Sequence, residues 1–169
     1  MGKTFIVFCL AGLLILSSGC FFASYTPVSD FALDLKPVPG NGKVCVSVLR
    51  NASGSGMRIQ SRSYSELNRD PYNVWAMEPG QLVTTALNKI LCKDGVSPRI
   101  TIYGEIDCFE ADIPEKVFRI SGFYADKNDR KKIRFDITAP LPGNTPGNIA
   151  LAASEAVQKL AVRLAKTAE

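Results

Sequence analysis

Residues 5–16 form an unbroken apolar run, and the chain reaches Cys20 just after it. This segment constrains the rest of the molecule more than any other feature. The run is too short to cross a bilayer as a helix, which takes about 20 apolar residues. Lys3 precedes it, and Ser17, Ser18 and Gly19 follow. A positive start, an apolar middle and a small-residue exit make a signal peptide. Residues 1–19 are therefore expected to be removed, so the fold must be built from the remainder, in a compartment where disulfides persist.

That remainder holds a body of roughly 130 residues, enough to bury a hydrophobic core without staples. The formal net charge is +4, and Lys3 lies in the leader, so the mature part carries +3. This is too mild a balance for nucleic-acid binding. The sequence contains no histidine, which removes the commonest general base and the commonest transition-metal ligand. Ser53 and Ser55 sit among glycines but do not form Gly-x-Ser-x-Gly, and no histidine is present to activate them. Gly40-Asn41-Gly42-Lys43 lacks the glycine spacing of a phosphate loop. No Cys-x-x-Cys is present. The expectation is a protein with no catalytic residues, no metal site and no cofactor.

Residues 20–42 carry Pro27, Pro37, Pro39, Gly40 and Gly42 and read as a flexible, extended tether, within which Tyr25 and Phe31-Ala32-Leu33 suit a short edge strand. A single domain is expected over 43–169. It opens with Val44, Val46 and Val48 alternating onto one face of a strand, and a second strand is expected over 57–62. Asp70-Pro71 signals a turn before a short strand at 72–76. Pro79 suits the first turn of a helix over 79–92, with Leu82, Ala86 and Ile90 along one face. Three strands follow. The first carries Ile100, Ile102, Ile106 and Cys108 on one face, the second Phe118, Ile120 and Tyr124, and the third Ile133, Phe135 and Ile137. Short polar connections make them an antiparallel meander. Thr145 as N-cap and Pro146 as first residue open a final helix with an apolar stripe through Ile149, Ala153, Val157, Leu160 and Leu164. The order implies an α+β fold, a mainly antiparallel sheet with two helices packed on one face.

Small residues followed by Cys20 resemble the lipobox of bacterial lipoproteins, with Ser17 where the common pattern has leucine. The resemblance implies that Cys20 is acylated, palmitate included, and becomes the membrane-anchored N-terminus. Phe21 follows it, where an aspartate would retain an enterobacterial lipoprotein at the inner membrane. The implied location is the outer membrane, lipid-anchored and facing the periplasm. Further on, the chain resembles the ABC-type transport auxiliary lipoproteins, or PqiC-like lipoproteins. The resemblance rests on the lipobox, Tyr25 in the tether, the Val-rich strand, Arg58-Ile59-Gln60-Ser61-Arg62, the Trp75-Ala76-x-x-Pro79 cluster, Gly104 to Phe109-Glu110 and an Ala-rich closing helix. It implies a non-enzymatic auxiliary component of an ABC/Mce-type intermembrane lipid transport system. Its partners would be an Mce/MlaD-domain protein and ABC transporter components, and family members also form homo-oligomers. Cys45, Cys108 and the Ser/Gly loop at 51–56 depart from that family. A different class of function, an envelope-assembly or structural lipoprotein binding cell-wall or secretion machinery, suits the same small domain.

Trp75 and Pro79 are the candidate partner-contact residues, since tryptophan is enriched at binding hot spots. The plainer reading packs Trp75 over the start of the helix. Among Cys45, Cys92 and Cys108 one disulfide is allowed, with connectivity open, or all three are buried thiols. Glu105, Asp107, Glu110, Asp112 and Glu115 read as a solvated strand face rather than a metal or hydrolase site. Lys127, Arg130, Lys131 and Lys132 read as a hairpin tip that suits anionic headgroups.

Overall fold

The computed structural model describes residues 29–38, 42–93 and 95–167. The leader, Cys20 and the first part of the tether lie outside the described residues. Seven strands and two helices follow in the order β1 (Ser29–Phe31), β2 (Val44–Asn51), β3 (Arg58–Ser63), β4 (Glu66–Trp75), α1 (Pro79–Leu91), β5 (Ile100–Asp112), β6 (Val117–Asp126), β7 (Ile133–Pro140) and α2 (Pro146–Lys166). The expected α+β architecture is what forms.

All seven strands join one sheet in the order β1-β4-β3-β5-β6-β7, with β2 beside β5. The longest ladders are the antiparallel β5-β6 and β6-β7 pairs of the meander. One edge of β5 is shared. β2 runs parallel to it from Val44↔Ile100 to Asn51↔Ile106, and β3 takes over farther on at Ser61↔Ala111 and Arg62↔Asp112. The switch is made in the Ser/Gly loop. There Asn51 Oδ1 accepts from the Ser53 amide and hydroxyl, and Gly54 and Gly56 adopt positive φ.

The helices cover one face, α1 over β2 and β5, α2 over β6 and β7. Between helices and sheet lies a continuous core of Val44, Val46, Leu49, Leu82, Leu87, Ile102, Phe118, Val157, Leu160 and their neighbours. Helix α1 approaches β2 closely at Gly80, where an added Cβ would lie 2.3 Å from the Leu49 carbonyl oxygen. Only glycine fits that contact. Thr145 caps α2 by accepting from the Asn148 amide at 3.3 Å.

Four expectations need correction. Val48 does not join Val44 and Val46: the register shifts between Val46 and Val48, which turns Val48 outward at 46% exposure and Leu49 into the core. A second shift between Ile106 and Cys108 does the same in β5, so Phe109 is buried and Cys108 leaves the core face. Each bulge adds one residue to one strand and so reverses the alternation beyond it. Asp70-Pro71 is not a turn either. The hairpin turns at Tyr64, which has φ 55°, and β4 runs straight through Pro71. The β3-β4 register jumps between Arg69 and Val74, so the ladder asks for no amide from Pro71. Asp70 fills the gap, accepting from the amides of Tyr72 and Asn73, both at 2.9 Å.

The tether supplies the fourth correction, because its described part, residues 29–38, is docked on the domain. β1 pairs in parallel with β4, Ser29↔Asn73 to Phe31↔Trp75. Beyond it Phe31, Leu33 and Leu35 pack against the core, and Val38 is buried. The domain boundary expected at 42/43 therefore moves upstream to at least Ser29.

Candidate functional site

Trp75 is 1% exposed and forms the hub of an aromatic cluster. Its ring meets Phe109 at 5.2 Å and Phe118 at 6.3 Å between centroids, and Phe109 meets Phe118 at 4.9 Å, all edge to face. Such edge-to-face pairs add roughly 0.5–1.5 kcal/mol each beyond their buried area. The Trp75 amide donates to Met57 O at 2.6 Å, and the Ala76 amide to Phe31 O at 2.8 Å. Pro79 is buried at the start of α1. Trp75 and Pro79 therefore lock β1, β4 and α1 together and offer no surface to a partner, and their reading as contact residues is withdrawn.

The carboxylates divide. Glu110 is 7% exposed and forms a two-point pair with Arg62, Nε to Oε1 at 2.5 Å and Nη2 to Oε2 at 3.2 Å. This hydrogen bond and charge raise the Arg62 pKa further. Glu110 is thus a buried partner rather than part of a solvated face. Asp107 is exposed and lies 3.9 Å from Arg134, a spacing worth little in water. Among the described residues no three groups of the metal-ligating kind come together.

Cys45 and Cys92 are bonded, with Cα atoms 4.8 Å apart, and Cys108 is free. Burial pushes the Cys108 thiol up to about 12, and the nearby Glu110 adds to the shift. A thiol in that state holds almost no thiolate at neutral pH and is not a nucleophile. Lys127, Arg130, Lys131 and Lys132 are exposed around the β6-β7 turn, and Lys132 lies 4.3 Å over the Phe123 ring.

The sequence reading misses a device that recurs along the sheet. Each helix uses polar side chains four residues apart to satisfy an open strand edge. On α1, Asn88 accepts from the Val46 amide and donates to the Val46 carbonyl, both at 2.7 Å, while Thr84 accepts from the Leu49 amide at 3.0 Å. On α2, Ser154 accepts from the Asp34 amide at 3.1 Å, and Gln158 exchanges two bonds with the Lys36 backbone at 2.7 and 3.1 Å. Also on α2, Lys159 and Arg163 donate to the carbonyls of Thr138 and Arg134 on β7. Unpaired edges invite further strands, and here helix side chains occupy them. The signal available in sequence was polar residues flanking the apolar stripes at helical spacing.

Two clefts open among the described residues. One beside α2, lined by Asp34, Lys36, Leu151, Ser154, Glu155 and Gln158, measures about 240 Å³. Another between β2 and α1, bordered by Val48, Met77 and Thr84, measures about 260 Å³. Among the described residues no helix is long and apolar enough to cross a membrane.

No family model matches the chain, and no curated protein matches it by sequence. Solved structures do share its fold. One is the crystal structure of an uncharacterized protein, with TM-score 0.65 and 14% identity over 85% of this chain and 99% of that one. Another is protein XCC0632 from Xanthomonas campestris, of family-model DUF330, with TM-score 0.61 and 15% identity over 81% of this chain and 91% of that one. At these identities the likeness is one of fold: an α+β domain with helices packed on a mostly antiparallel open sheet.

Proposed function

We propose that this chain is a lipid-anchored, periplasm-facing lipoprotein of the outer membrane that serves as a non-enzymatic auxiliary component of an ABC/Mce-type intermembrane lipid transport system. The observation that carries this reading is a meeting of two sequence patterns. Trp75-Ala76-x-x-Pro79 is the most specific part of the resemblance to auxiliary lipoproteins, and Gly104 to Phe109-Glu110 is another part of it. They lie on different strands, and their rings pack on each other at 5.2 Å. The patterns thus belong to one structural unit. The Cys45–Cys92 bond supports export, because structural disulfides persist in oxidising compartments.

The role that fits this domain is positioning rather than carriage. Two clefts among the described residues, of about 240 and 260 Å³, fall below the roughly 300–1,000 Å³ of ordinary small-ligand pockets, which suits positioning. A domain of this kind holds a transport assembly at the membrane through its anchor.

Crosslinking the full-length lipoprotein in membranes and identifying what it captures tests the reading. The expected partners are an Mce-domain protein and a transporter permease. A Cys20→Ser variant should leave the membrane fraction and lose them. Capture of cell-wall synthases or secretion components in their place would point to an envelope-assembly role and sink the transport reading.

A further inference from the structure

The domain has two unlike poles. β2, β3 and β5 run in one direction, so the β3-β4 hairpin lies beyond the C-terminal end of β5, where Arg62 pairs with Asp112. The other pole holds the start of β5 and the β6-β7 turn, brought together by the Ile102↔Asp126 pairing. The 13 residues of β5 set the two roughly 40 Å apart at the usual strand rise.

The hairpin pole projects and mixes aromatic, apolar and charged side chains. Residues 64–69 are all exposed, so this part of the hairpin stands clear of the core. Its tip carries Tyr64 at 85% exposure and Leu67 at 40%, beside exposed Glu66 and Arg69, while Tyr72 at 51% lies farther back along β4, toward the Arg58↔Val74 end of the ladder. Tyrosine with arginine is the composition of a membrane interface, where the ring enters the headgroup layer and the cation meets phosphate. The opposite pole is basic, with Lys127, Arg130, Lys131 and Lys132 against Asp126 and Asp129. Charge alone would turn that pole toward an anionic surface.

The path of the chain decides between them. β1 is parallel to β4, and β4 runs away from the hairpin turn. The chain therefore reaches Ser29 from the hairpin side. Eight residues lie between Cys20 and Ser29, and the nine steps reach at most about 30 Å when fully extended. To bring the basic pole to the surface, that segment would have to reverse direction and run back along the domain near its full length.

We propose that the β3-β4 hairpin is the membrane-facing end of the domain, with Tyr64 and Leu67 entering the headgroup layer of a phospholipid surface. This rests on the reading of Cys20 as the lipid anchor. The basic pole then faces the periplasm, where partners approach.

The test uses full-length lipidated protein in vesicles of phosphatidylethanolamine and phosphatidylglycerol. Trp75 is the sole tryptophan and is buried, so a second tryptophan reports on its own position. Tyr64→Trp, Tyr72→Trp and Val96→Trp are compared, Val96 being exposed at the opposite pole. Lipids carrying a headgroup-level nitroxide should remove most of the added emission of Tyr64→Trp, less of that of Tyr72→Trp, and leave Val96→Trp unchanged. Vesicle flotation separates the two readings. Protein that floats but shows quenching at position 96, or at none of the three, overturns the orientation and leaves the anchor standing. Protein that does not float overturns the anchor, and the orientation with it.

Discussion

The two helices hold strand-like partners by the same chemistry but with unequal commitment. Asn88 and Thr84 of α1 grip β2, and Ser154 and Gln158 of α2 grip the strap at residues 29–38. In each case polar side chains four residues apart supply hydrogen bonds to an extended backbone. β2 is also paired with β5 along its length, closed over by Gly80, and tied to the end of α1 by the Cys45–Cys92 bond. The strap has a three-residue ladder at one end and side-chain bonds after it. Backbone pairing is long and covalently closed in one region, short and open in the other. β2 therefore belongs to the cooperative core, whereas the strap is placed to open locally, at lower free energy.

The largest effect should come from breaking the covalent clamp. The bond closes a 47-residue separation, worth about 4 kcal/mol in chain-entropy terms. Cys45→Ser with Cys92→Ser should lower the urea midpoint by a matching amount. A change near zero would mean that α1 and β2 are held by packing alone and would erase much of the contrast with the strap. Next in size is Asn88→Ala, which strips two partners from the buried Val46 backbone. A loss of about 1–3 kcal/mol is expected, since unsatisfied buried polar groups are costly. It should appear as global unfolding in the same titration.

The strap should respond differently. Ser154→Ala with Gln158→Ala removes bonds to the exposed residues Asp34 and Lys36, each worth roughly 1 kcal/mol or less. Amide hydrogen exchange at 34 and 36 should speed up while exchange at Val46 stays as it was. If the double variant lowers global stability as far as Asn88→Ala, the strap is part of the core and the comparison fails.

The same contrast explains what the sequence disclosed. Regular features announce themselves by periodicity and punctuation: Val44 and Val46 on β2, Pro79 and Pro146 at helix starts, Thr145 as N-cap, the apolar alternation of β6. The bulges at Ser47 and Asp107 are single-residue events that no period marks, yet each reverses a strand face and moves Leu49 and Phe109 inward. Asp70-Pro71 carries genuine turn chemistry, but it is spent inside an edge strand. The prolines and glycines spread over 20–42 spell a tether, and Phe31-Ala32-Leu33 a short edge strand, but the alternation of Phe31, Leu33 and Leu35 equally suits a segment docked along its length. The candidate site was the least legible part, because a lone tryptophan beside a proline reads the same from sequence whether it faces a partner or the core.

The smallest expected effect lies where the strap begins. Ser29 pairs with Asn73, and Asn73 is held by Asp70 through both its amide and its side chain. Burial pulls the Asp70 pKa upward, but the amides of Tyr72 and Asn73 and the Asn73 side chain outweigh it, and the net shift is downward from the ordinary aspartate value. A carboxyl with a depressed folded-state pKa contributes stability that is complete above its unfolded value and fades as pH falls through the folded one. Acidification below the ordinary aspartate range should therefore loosen the Asp70 hydrogen bonds and the first pairs of β1 while β2 stays protected. Amide exchange at Tyr72 and Asn73, followed from neutral pH downward, reads this directly. Asp70→Asn keeps an oxygen acceptor and removes the titrating group, so the acid-dependent step should vanish at Tyr72 and Asn73. If β2 and the strap lose protection together in acid, the strap does not open alone, and the distinction between the two helix-gripped segments is lost.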